Sequence, residues 1–498
     1  MAEPNSSTGC CCKHTHDTRE LVLCFDGTGN TLGRDDTGTN ILRIFRILDR
    51  TKENRSGIGT ECVPASFAGM PLNGRAPIFG TNKVLDMALA TSFDQHVLGG
   101  YRFLMRRYKP GAKIYLFGFS RGAYTARFLS EMLDFIGLPN TDNEELIPLV
   151  WKAFWTFRFG SEKHHRKQYL DAAMFLRACR ETLCNPVART HFLGLFDTVN
   201  SVAELRGECE GVPTARIIRH AVSIDERRLK FQPVLIGPRV GNQENWRLEK
   251  RSKVNGNNSK NDKSNNINNR KEEEEEDSGD DDDDDDEDDD NLALDLEEVY
   301  FAGDHSDVGG GHELAPTDAW PASQVPLTWM VNEAMKAGLT FESNKLMCEL
   351  GSETFDTPGR TEYTDNILKE AGTYSTLHDS LDFDDSKNKA LTFFWRVLEI
   401  LPFKRLHSQS DGSQKLSRRP VPGGIARAIP SNPRVHGSVV CRLKARSDYR
   451  PTNLAGAAQL REGKHETDDW VCLDEGKIGE CWIRKDGERV FYSGIVRL

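Results

Sequence analysis

The segment "IYLFGFSRGAYTAR", residues 114–127, sets the reading of this chain. An apolar run, Lys113–Phe119, stops at Gly118-Phe119-Ser120-Arg121-Gly122, and a helix-like segment of small residues follows. A short, continuous apolar run bounded by glycine suits a strand buried on both faces. G-x-S-x-G after such a strand is the pattern of a nucleophile elbow, in which a sharp strand-to-helix turn holds the serine hydroxyl clear of the sheet. The pentapeptide alone is common by chance, so its meaning depends on the rest of the chain.

Three further runs have the same character: Leu21–Phe25, His191–Phe196 and Glu298–Gly303. Helix-like stretches, Asn40–Arg50, Ala123–Leu138, Leu146–Phe157 and Lys167–Thr182, separate them. Buried strands alternating with helices predict an α/β fold, a mainly parallel sheet with helices on both faces. In such sheets ligands bind at the carboxyl ends of the strands. The four runs end at Asp26-Gly27-Thr28, Ser120, Asp197 and Asp304-His305-Ser306-Asp307. Ser120, Asp197 and His305 thus appear in the chain order of α/β-hydrolase triads. A serine hydroxyl needs an imidazole to take its proton and a carboxylate to orient that imidazole.

Each role has rivals. Asp225, Asp304 and Asp307 compete with Asp197 for the acid, and His220 and His312 compete with His305. Asp197 also suits a helix cap, and His220 a satisfied core histidine. The amide of Arg121, opening the helix after Ser120, is the expected oxyanion donor, with Gly27 and Thr28 as the second source. Asp26 would brace that loop or contact substrate. LVLCFDGTGN superficially matches the D-x-D-G-T motif of haloacid-dehalogenase-type phosphatases, but Cys24 stands where their nucleophilic aspartate would be. Asp304, His305, Asp307 and His312 have loose ligand spacing with no second ligand-bearing segment, so no metal and no cofactor are expected.

Composition sets the wider limits. The 498 residues carry a net charge of −11, yet residues 249–291 alone hold 19 acidic against 7 basic side chains, leaving the remainder close to neutral. That balance argues against a nucleic-acid binder. With so few apolar residues, 249–291 reads as a solvated, disordered insertion that could meet a basic protein partner. Residues 1–18 read as a disordered tail, in which Cys10–Cys12 are candidates for acylation. A polar stretch, 408–422, reads as loose. Residues 456–498 read as a small β-rich extension turning at Lys485-Asp486-Gly487. The catalytic domain is assigned to 19–248 and 292–455. There is no secretory leader and no 18-residue apolar span, and the scattered cysteines read as reduced thiols, so a cytoplasmic location is expected, with peripheral membrane contact admitted.

FDGTGN with TNILRI, GFSRGAYTAR, GLFDTVNSV, HAVSIDERRLKFQP, and AGDHSDVGGG with LTWMVNEA occur in that order. Together they resemble an uncharacterised α/β-hydrolase domain family that includes catalytic domains of type VI secretion phospholipase effectors. The resemblance runs from about residue 19 to 340, and more loosely to 455. It implies a serine hydrolase of esters, phospholipids among them, with Ser120, Asp197 and His305 as the triad. The contrasting expectation is a catalytically idle interaction protein that works through its acidic insertion.

Overall fold

Successive residues of each predicted strand point to opposite faces of one sheet, and both faces are buried. The computed structural model describes residues 19–28, 38–49, 62–65, 82–159, 166–199, 215–236, 294–350, 366–383, 389–400, 405–408, 414–417, 423–430, 433–454, 470–472 and 481–484. The tail 1–18 and the insertion 249–291 lie outside them, as does the Lys485-Asp486-Gly487 turn. All of the described residues belong to one compact unit.

Among the described residues the central sheet has nine strands: β1 (Glu20–Thr28), β2 (Cys62–Ala65), β3 (Lys113–Phe119), β4 (Thr190–Phe196), β5 (Ala215–Ser223), β6 (Asp295–Phe301), β7 (Arg434–His436), β8 (Trp470–Cys472) and β9 (Cys481–Arg484). Their order is β8-β9-β7-β6-β5-β4-β3-β1-β2. Every pairing from β2 to β7 is parallel, and β9 pairs antiparallel with both β7 and β8. The C-terminal strands therefore extend the main sheet. Gln414–Ser417, inside the stretch read as loose, pairs antiparallel with Arg405–Ser408, with the turn-forming dipeptide Asp411-Gly412 in the sequence between them.

Leu21, Leu23 and Phe25 of β1, with Ile114 and Leu116 of β3, pack on one side against the helices α2 (Asn82–Arg107), α3 (Arg121–Ile136), α4 (Ile147–Phe159) and α5 (Arg166–Thr182). Val22 and Cys24, with Tyr115 and Phe117, face the other side. There they meet Ile41, Ile44 and Ile47 of α1 (Asn40–Ile47). A five-residue helix, α6 (His305–Gly309), and α7 (Gln324–Lys336) lie in that layer, with Leu346, Leu350, Ile367 and Ala371 packed beside them. This two-sided covering is what a parallel sheet of apolar strands requires.

The register fixes the site. Phe119 of β3 pairs with Phe196 of β4, so the next residues, Ser120 and Asp197, emerge side by side. Strand order reverses between β1 and β3, which places the crevice at the ends of those strands, where Asp26 and Ser120 lie.

Candidate active site

Ser120 sits between β3 and α3 with φ 59° and ψ −126°, a conformation that non-glycine residues rarely adopt. Such strain persists only where the surroundings enforce it. Here the Ser120 amide donates to the Phe196 carbonyl at 3.0 Å, and the Ser120 carbonyl accepts from Ala123 N at 3.1 Å. Glycines make the turn sterically feasible. A Cβ on Gly122 would lie 2.1 Å from the Phe25 carbonyl oxygen, and one on Gly118 would lie 2.4 Å from the Ala123 Cα. Helix α3 thus begins hard against the ends of β1 and β3, with its first two amides, of Arg121 and Gly122, lacking intrahelical acceptors.

Asp197 is the second non-glycine residue at positive φ (40°), and its side chain is fully buried. Its Oδ2 lies 2.5 Å from His305 Nδ1. Behind it, Arg427 grips the same carboxylate with two parallel bonds, Nη1 to Oδ1 at 2.6 Å and Nη2 to Oδ2 at 2.8 Å. The Ser223 amide is a second donor to Oδ1, at 3.0 Å. Burial works to raise the Asp197 pKa, but the Arg427 charge and these hydrogen bonds outweigh it and hold the carboxyl well below the usual carboxylate range. Arg427 is itself buried and also donates to the Ser223 Oγ and the Phe231 carbonyl.

His305 is the first residue of α6. Its amide donates to Glu226 Oε2 at 3.3 Å, and its ring is enclosed by Phe119, with centroids 4.6 Å apart, and by the edge of Phe231, at 4.8 Å. Nε2 has no hydrogen-bond partner among the described residues, and neither does Ser120 Oγ. Arg228 closes the next layer. It pairs with Glu226 at 2.7 Å and lies over Phe231, 3.8 Å from the ring centroid.

The rival acids and bases are occupied elsewhere. Asp225 Oδ2 accepts from the Gly303 amide at 2.7 Å and from the Tyr449 hydroxyl at 3.0 Å, and burial pushes its pKa up to about 7. Asp304 caps α6 and accepts from His312 at 3.1 Å. Asp307 completes that capping box and accepts from His378 Nδ1 at 2.7 Å. His220 is satisfied within the core, where Nε2 accepts from the Thr198 amide at 3.1 Å and Nδ1 faces Glu298 at 2.8 Å.

Around Ser120, Asp26 Oδ2 accepts from Thr39 Oγ1 at 2.7 Å, and Thr39 in turn caps α1. Asp26 Oδ1 takes the Gly27 amide at 2.6 Å, so in this arrangement that amide is turned toward its neighbour. Thr28 ends β1. The Arg121 guanidinium is largely buried, and desolvation lowers its pKa to about 10. Sequence reasoning missed Arg427, Ser223, Glu226 and Phe231. The last three lie inside HAVSIDERRLKFQP, but nothing in that motif gives them a role, and Arg427 lies outside every quoted motif, 230 residues from the carboxylate it holds.

A family model for the catalytic domain of Tle1-like phospholipase effectors of the type VI secretion system matches residues 19–333. An uncharacterised protein of Saccharomyces cerevisiae is 26% identical over 568 aligned positions, covering 89% of this chain and 81% of the yeast protein. Two solved structures are similar at a TM-score of 0.32. One is an uncharacterised protein from Pseudomonas aeruginosa (18% identity, 65% of this chain and 46% of that one). The other is the Tle1 effector bound to the VgrG spike (13% identity, 76% and 80%). Among the described residues no helix is long and apolar enough to cross a membrane. From the extent of the family match, the chain belongs to the Tle1-like family of type VI secretion phospholipase effector catalytic domains.

Proposed function

We propose that this protein is a serine hydrolase that cleaves carboxylic esters, phospholipids among them, by acyl transfer through Ser120. The observation that carries the reading is the chain of contacts Arg427–Asp197–His305, which holds one imidazole against Phe119, the residue that precedes a serine on a strained turn. In this mechanism Asp197 accepts a hydrogen bond from the Nδ1–H of His305, which keeps the proton on Nδ1 and leaves the Nε2 lone pair to act as base. Ser120 Oγ attacks the ester carbonyl and gives its proton to Nε2. The tetrahedral oxyanion is met by the Arg121 amide at the start of α3. A second donor is required from the β1 loop. The Gly27 amide can serve if it turns away from Asp26, whose link to Thr39 would hold the loop meanwhile. Collapse expels the alcohol, protonated by His305, and water then repeats the sequence to release the acid.

A fluorophosphonate probe tests this directly. Wild-type protein should be labelled and Ser120→Ala should not, with the two equally folded by circular dichroism. Hydrolysis of a panel of acyl esters and phospholipids should disappear in the same variant. Folded wild-type protein that takes no label would overturn the reading.

A further inference from the structure

Within α6 and the loop after it, Asp304, Asp307 and His312 supply ligand-type side chains from one segment only. The structure adds a second segment. His378, from residues 376–380, comes down on the same spot, and Asp307, His312 and His378 each present a ligand atom within 4.8 Å of the other two. The two imidazole rings lie nearly parallel, with centroids 4.0 Å apart and planes inclined by 21°. Both rings sit against buried carboxylates, with His378 Nδ1 2.7 Å from Asp307 Oδ1 and His312 Nε2 3.1 Å from Asp304 Oδ1.

We propose that Asp307, His312 and His378 bind a divalent transition-metal ion, with zinc preferred, and that Asp304 orients His312 from the second layer. Two imidazoles and one carboxylate form a donor set suited to zinc, iron(II) or manganese(II), and among these zinc binds a given site most tightly. The carboxylate is prepositioned. Asp307 Oδ2 is held by the Asp304 amide at 3.0 Å and the His378 amide at 2.8 Å, which leaves Oδ1 directed at the histidine pair. Asp304 is equally fixed, by the amides of Ser306 and Asp307 and the hydroxyl of Ser380. A carboxylate behind a ligating histidine is the usual way of setting its ring orientation and basicity. The group opens on a depression lined by Ser306, Asp318 and Thr376, so an ion has a path in and water can fill the remaining coordination positions. Tetrahedral metal–ligand bonds of about 2.0–2.2 Å set donor atoms about 3.3–3.6 Å apart, which lies between the 2.7 Å His378–Asp307 contact and the 4.8 Å within which all three ligand atoms fall. The ion would pin α6, and with it the backbone of His305, to the segment that follows residue 366.

The test uses the full chain with Cys10, Cys11 and Cys12 replaced by Ser, so that the cysteine-rich tail contributes no thiols. After dialysis against a chelator, zinc binding is followed by titration calorimetry and metal content by plasma mass spectrometry. The expected result is about one zinc per chain and a rise in Tm on loading. His312→Gln and His378→Gln should each weaken binding by at least 10-fold, and Asp304→Asn by about 10-fold. Absence of stoichiometric zinc at micromolar metal would overturn the site, as would unchanged affinity in a folded His312→Gln/His378→Gln double variant. Labelling of Ser120 is scored separately, so failure of the metal site and failure of the hydrolase reading are distinguishable.

Discussion

At the scale of single residues, the polar layer behind His305 is where small changes matter most. Arg427 neutralises a fully buried carboxylate, and removing one partner of a buried ion pair typically costs about 3–5 kcal/mol. Arg427→Leu should therefore lower the unfolding free energy, measured by denaturant titration, by an amount in that range and abolish probe labelling. Arg427→Lys, which keeps the charge but not the two-pronged geometry, should retain part of both. Asp225 makes the opposite case. Its pKa is raised from the ordinary 3.8 to about 7, so the folded state holds a proton that the unfolded chain releases across that interval. Its contribution to stability is complete below about pH 4 and is lost as pH rises through 7. Asp225→Asn mimics the protonated form. It should flatten the fall in stability between pH 4 and 7 and leave the variant more stable above pH 7, on the order of 2 kcal/mol or more. Unfolding curves at stepped pH values check this. Ser120, Asp197 and His305 could be picked out from sequence because each stands at the end of an apolar run. Arg427 could not, because nothing in GGIARAIP distinguishes it until folding sets it beside Asp197.

At the scale of elements, the turn into α3 depends on atoms that are missing. Gly122→Ala would drive a methyl group into the Phe25 carbonyl, forcing α3 away from β1. Overpacking of this kind costs about 1–3 kcal/mol and displaces what the helix carries. The variant should lose several degrees in Tm and nearly all labelling, and calorimetry with a probe assay reads both. The central strands β1, β3, β4 and β6 were legible because parallel strands buried on both faces leave unbroken apolar runs. Strand β5 was harder to see, since Arg219 and His220 interrupt it. The fold satisfies them instead, with Arg219 on Asp295 and Glu333 and His220 on Glu298. Helix α7 shows why periodicity fails deep in a core. Trp329, Asn332 and Glu333 are all buried, so no polar face repeats along it.

At the scale of the whole molecule, the sheet ends differently from the sequence-based boundary. β7 adds to the far edge of β6, and β9 and β8 follow it, so residues beyond 430 cover what would otherwise be an open strand edge. A chain cut after residue 333 keeps Ser120, Asp197 and His305 but exposes that edge and leaves Asp197 without Arg427. It should be poorly soluble and should take no fluorophosphonate label, whereas the full chain should be soluble and labelled; expression trials with the probe decide the matter. The sequence pattern announced the order of the strands and the polar groups at their ends. It carried no sign that the countercharge and the final strands arrive last.

That late arrival has a consequence for synthesis. The segment bearing Arg427 leaves the ribosome more than a hundred codons after His305, so for the 230 codons that follow Asp197 the nascent protein has an acid with no cation to hold it. A growing chain of this design would stay chemically silent until its C-terminal part docks. Ester cleavage would then be confined to finished molecules.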